Sequence, residues 1–147
     1  MAILYYLFAF LTGVANSTQS GVNSQLRQGL SNPLLAAVGS FAIGFFSLIG
    51  LQLIIGGPIP TLEAVRQISW WKWTGGLLGA FYIVTVIVAV PRVGVASLLC
   101  LSIAGQLIAA VIYDHYGLMG FVQHSANGWR LLGVVLVLVG AILVVKN

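Results

Sequence analysis

The sequence predicts an all-α membrane protein with five transmembrane helices, and three observations predict it. Hydrophobic residues make up 60% of the chain and charged residues 5%, with a mean hydropathy of +1.07. A soluble domain carries about 25% charged residues, so lipid rather than water must cover most of this surface. Five mostly apolar runs, residues 3–26, 33–55, 71–90, 93–113 and 129–145, approach the length of about 20 residues that a membrane-crossing helix needs. The segments between them are too short to hold a further domain, so residues 1–147 read as one five-helix transmembrane domain.

Each boundary has a physical marker. The first span has no basic n-region, and its second half is polar instead of a short apolar core, so it reads as a mature helix and not a signal peptide. Arg27, Asn32 and Pro33 separate the first span from the second. Gly56-Gly57-Pro58 with Pro60 closes the second, because these residues cannot continue a helix. Pro91-Arg92 and Gly94 are expected to form a very tight turn between the third and fourth spans. Asp114-His115 through Gly128 reads as the other sizeable loop. Trp70, Trp71, Trp73 and Trp129 stand at span ends, where amphipathic rings prefer the membrane interface.

Composition also excludes whole classes of function. The six Lys and Arg residues are scattered singly, with no basic run to neutralise phosphates, so no nucleic-acid partner is expected. One Cys rules out an internal disulfide, and no Cys/His set has metal-ligand spacing, so neither metal nor cofactor is expected. No paired carboxylates or nucleophile–base set can be placed together, so the chain does not read as an enzyme. The acids are Glu63, in the second loop, and Asp114, at the end of the fourth span. Asp114-His115 reads either as a proton site at a cavity mouth or, more simply, as a solvated helix end. Cys100 reads as a small buried apolar side chain.

The distribution of positive charge is balanced. With five spans, one side of the membrane carries Arg66, Lys72 and Arg130, and the other carries Arg27, Arg92 and Lys146. Orientation follows the excess of Lys and Arg on one side, and here three against three leaves none. Such a chain is expected to insert both ways and pair antiparallel with itself. A small bias arising by chance is the plainer alternative. Inverted repeats of this kind build many transporters, with the substrate site between the repeats at the midplane.

The polar faces carry the functional signal. Thr12, Asn16, Gln19, Ser20, Asn23 and Arg27 fall within an arc of about 100° on the first helix at about 100° per residue. Amides left uncapped in hydrocarbon are costly, so this stripe must face protein or water. It lines a substrate cavity or it holds the bundle by interhelical hydrogen bonds, each worth about 0.6 kcal/mol. Three amides on one stripe exceed what packing requires and favour the cavity. Gln106, near the middle of the fourth span beside Gly105, is a second candidate for substrate contact; a hydrogen bond to the first helix is its alternative. On the third span Trp71, Gly75, Gly79 and Tyr82 share a face. Gly75-x-x-x-Gly79 is a small-residue packing motif, leaving Trp71 and Tyr82 as possible cavity walls. Ala36, Ser40 and Gly44 on the second span read as packing. Gly133 and Gly140 on the fifth read as a lipid-exposed or dimer face.

The run Gly13 to Leu26 with Gln19 and Asn23, the stretch from Trp71 to Tyr82, the turn Pro91-Arg92-Val93-Gly94 and the pair Gly105-Gln106 resemble the YdcZ-like five-helix family of the drug/metabolite transporter superfamily. The resemblance covers essentially the whole chain. It implies a bacterial inner-membrane, multi-pass transporter of small metabolites or drugs, and a ten-helix bundle made by two five-helix chains in opposite orientation. The small multidrug-resistance relatives carry a membrane-embedded Glu in their first helix; this chain has amides there instead. The expected function is therefore transport of a small polar or zwitterionic solute or drug by alternating access in an antiparallel homodimer. Gln19, Asn23 and Gln106 are expected to bind the solute, with Asn16 and Tyr82 in support, and Gly75, Gly79, Gly133 and Gly140 to serve packing or dimer contacts. Rival readings are a subunit that needs a different five-helix partner, a non-transporting scaffold or regulatory subunit, and, more weakly, a channel.

Overall fold

The computed structural model describes residues 2–146. Among the described residues every regular element is helical. In chain order these are α1 (Ala2–Leu30), α2 (Pro33–Ile55), α3 (Leu62–Arg66), α4 (Gly75–Val93), α5 (Val95–Tyr116) and α6 (Gly128–Lys146), with 3₁₀ turns at Trp70–Thr74 and Leu118–Gly120. The five expected spans correspond to α1, α2, α4, α5 and α6. Among the described residues four segments are long and apolar enough to cross a membrane: Pro33–Ile55, Trp70–Val93, Val95–Tyr116 and Gly128–Lys146. At 29 residues α1 is the longest helix, yet it stands outside that group, because Asn16 through Arg27 dilute its apolar character.

The chain divides into two compact units between Ala89 and Val90. In the first, Leu30 ends α1 and Ser31 takes a left-handed φ of 52°. Asn32 then caps α2: its Oδ1 accepts from the backbone N–H of Leu34 at 2.8 Å and of Leu35 at 3.2 Å. Pro33 occupies the first helical position, where its missing N–H costs nothing. Gly56, at φ 67°, closes α2 in the left-handed conformation that glycine adopts without penalty. Ala36 and Ala37 of α2 pack with Ile83 and Ile87 of α4, and Leu26 of α1 joins them. This cluster is the core of the first unit.

In the second unit Gly94, at φ 80°, starts α5, and α5 packs along α6. Leu98, Ala104 and Ala141 are buried. The connection between the two helices is tied down by polar contacts. His124 N–H donates to Asp114 O at 2.8 Å, and Gln123 Nε2 donates to His115 O at 2.9 Å. Ala126 N–H donates to His115 Nδ1 at 3.1 Å. Arg130 donates to His124 O at 3.1 Å and pairs with Asp114 at 3.3 Å.

Several expectations are corrected here. α1 runs past Arg27 to Leu30, and α5 and α6 each extend beyond their expected ends. Pro91 and Arg92 are not the turn; they lie in the last turn of α4, and Gly94 alone makes the bend. Proline there removes the one helical bond to Ile87 O, and Arg27 Nη1 donates to that carbonyl at 3.1 Å. Asp114 and His115 belong to the last turn of α5 and are paired while staying part-exposed. The short helix α3, capped by Thr61, was not expected.

Candidate functional site

The polar stripe of α1 points into the first unit for part of its length. Thr12 returns its hydroxyl to Ala9 O at 2.7 Å and is exposed. Asn16 Nδ2 donates to the Tyr82 hydroxyl of α4 at 2.8 Å. Ser20 is buried and donates to Asn16 O at 2.9 Å. Asn23 is 2% exposed, and its Nδ2 has no acceptor. Arg27 Nη1 donates to Ile87 O of α4 at 3.1 Å. Because Asn16 precedes Arg27 as Tyr82 precedes Ile87, these two bonds place α1 and α4 side by side and running in the same direction.

Gln19 lies on the same stripe and differs from its neighbours. It is exposed and opens onto a cleft of about 430 Å³ between α1, α2 and α4. Ser40, Phe41, Gly44, Phe45 and Leu48 of α2 line one side, and Gly79, Tyr82 and Ile83 of α4 line the other. Gly79 faces the aromatic wall: a Cβ there would stand in ordinary contact, 3.5 Å from the Phe41 ring. The walls are mostly apolar and aromatic, with the Gln19 amide and the Ser40 and Tyr82 hydroxyls as polar groups. Such a lining suits a small organic molecule with a few hydrogen-bonding groups.

The structure thus brings Asn16, Gln19 and Tyr82 to one cleft edge, with Asn23 buried on the same α1 face. Gln106 lies in the second unit, exposed on α5, with no hydrogen-bond partner among the described residues. Around Gly75, Gly133 and Gly140 nothing lies within 4 Å of where a Cβ would be; Gly75 is exposed, whereas Gly133 and Gly140 are half-buried, Gly133 in a groove between α5 and α6. Trp71 is exposed under Lys72, whose Nζ lies 5.8 Å from its ring, and lines none of the clefts described. Ser40, Phe41 and Phe45 are lining residues that sequence reasoning missed. The signal that marked them was the Ala36, Ser40, Gly44 row, read as packing alone.

The fold and this cleft define a class: a multi-pass helical membrane protein with a polar seam buried beside an open, aromatic-walled hollow. Residues 4–143 match the family described as "Putative inner membrane exporter, YdcZ", and the chain belongs to that family. It is 26% identical over 140 residues to the inner membrane protein YdcZ of Escherichia coli (strain K12), covering 95% of this chain and 93% of that protein. No solved structure matches it. The protein is accordingly a multi-pass protein of the bacterial inner membrane, in a family whose description is that of a transporter and not of an enzyme.

Proposed function

We propose that this protein exports a small polar or zwitterionic solute by alternating access, as an antiparallel homodimer in which α1 serves as the fifth membrane-spanning helix of a single transmembrane domain. Gln19 and Asn23 bind the solute, Asn16 and Tyr82 hold the cleft edge, and Gln106 offers a further amide from α5. Gly133 and Gly140 on α6, and Gly75 on α4, serve packing or contact with the second copy. The observation that carries the reading is Gln19, an exposed amide between the inward-facing Asn16, Ser20 and Asn23, opening onto a 430 Å³ cleft. A stripe that merely held the bundle would have no reason to keep this amide at the mouth of a hollow.

Support for the dimer comes from the equal charge count of three against three, which gives neither orientation an advantage. Two reporters fused to the C-terminus, one active on each side of the membrane, test it. Signal from both is expected; signal from one side alone overturns the homodimer and points to a hetero-pair. Reconstituted vesicles test transport itself, with Gln106→Ala expected to weaken it and leave assembly intact.

A further inference from the structure

Pro91 leaves a mark on α4 that is answered from α1. Proline has no N–H, so the carbonyl four residues back, on Ile87, loses its helical donor. Ile87 is 0% exposed, and a buried carbonyl needs a partner. Arg27 Nη1 supplies it at 3.1 Å. That bond uses one of the five N–H groups of the guanidinium. The charge itself is unmet: among the described residues Arg27 has no carboxylate partner. The chain has two acids; Asp114 is held by Arg130 at 3.3 Å, and Glu63 is exposed on α3. One helical turn before Arg27, on the same face of α1, Asn23 Nδ2 is buried and lacks an acceptor.

These two deficits have one sign. A half-buried cation lacks an anion, and a buried N–H lacks an acceptor. We infer that Arg27 and Asn23 form an oxyanion subsite that takes the carboxylate of the transported solute. A carboxylate answers both demands at once: the planar guanidinium fork matches its geometry, and its lone pairs accept from the amide. A neutral solute would leave the charge unmet, and an organic cation would be repelled. The subsite lies close to the cleft, because Ile83 lines it and Ile87 follows about 6 Å further along α4 at the α-helical rise. The inference rests on the transporter reading and narrows it, from polar solutes in general to organic acids and amino-acid-like zwitterions. A lipid phosphate shares the chemistry. Asn23 is buried one helical turn from Gln19, which lines the cleft, and that favours the solute.

The test is calorimetric binding of phenylacetate to the full chain in phosphatidylcholine nanodiscs, with phenylacetamide and phenethylammonium as neutral and cationic probes of matched shape. Phenylacetate is expected to bind at least about tenfold more tightly than either, as charged hydrogen bonds warrant. Arg27→Gln should erase that preference. So should Asn23→Asp, which sets a carboxylate of the protein one turn from Arg27. Arg27→Gln is repeated with Pro91→Ala, which returns a helical donor to Ile87 O. A loss that persists there supports the subsite; a loss that vanishes reduces Arg27 to a cap for one carbonyl and overturns it. Equal binding of the three probes overturns it too, as does an equal loss in Glu63→Gln. Nanodiscs of phosphatidylglycerol that abolish binding assign the site to lipid phosphate and overturn the solute reading. Vesicles that move phenethylammonium or phenylacetamide but not phenylacetate refute the carboxylate subsite and leave transport standing; binding of phenylacetate with no movement of any probe refutes transport.

Discussion

The two units of this chain handle polar groups in opposite ways. Up to Ala89, polar side chains run along α1 from Thr12 on, and among the described residues some are left wanting: Gln19 opens to a cleft, Asn23 keeps an unpaired N–H, and Arg27 has no carboxylate partner. From Val90 on, most are gathered at one loop and satisfy one another, with Asp114, His115, Gln123, His124 and Arg130 closing a connected set. In a membrane protein an unmet polar group is costly. A closed set meets that cost within the chain; under the proposed function, the open one is where the solute meets it.

Four substitutions sharpen or break this contrast, taken from the largest expected effect to the smallest. Arg130→Ala removes the part-exposed partner of Asp114 and the exposed donor to His124 O, and should cost about 1.5 kcal/mol of stability with solvent screening allowed for. Denaturant titration in mild detergent measures it, and solute movement by the protein that stays folded should be unchanged. Gln19→Ala should do the reverse, lowering transport about tenfold, equal to about 1.4 kcal/mol, with the denaturation midpoint unmoved. Equal transport by that variant would remove Gln19 from the site. Tyr82→Phe strands the Asn16 amide and should cost about 0.6 kcal/mol, a typical value for one interhelical bond, read in the same titration. Ser31→Gly relieves a side chain held at φ 52° and should stabilise by a few tenths, roughly 0.3 kcal/mol, once the extra freedom of the unfolded glycine is counted.

How much was legible follows from how local each determinant is. Residues 33–55 are the second helix in sequence and structure alike, because Asn32, Pro33 and Gly56 act on their own neighbourhood. The inward face of α1 was legible for the same reason, since its period is written in one helix. Pro91 was misread because the carbonyl it strands, on Ile87, is met by Arg27, 60 residues before Ile87, and no local pattern announces such a partner. The walls Phe41 and Phe45 escaped notice because their role depends on which side of α2 meets α4. Asp114 and His115 read as a loop because the bonds that hold them come from Gln123 to Arg130, beyond a turn.

The central claim is that water and solute reach the α1 stripe through the cleft. It is tested most directly by placing a single thiol there, with Gln19→Cys in a Cys100→Ser background, and exposing the protein in lipid vesicles to a membrane-impermeant maleimide. The account predicts rapid labelling that slows when phenylacetate is present. A thiol that stays unlabelled from both sides while the protein remains folded would contradict it.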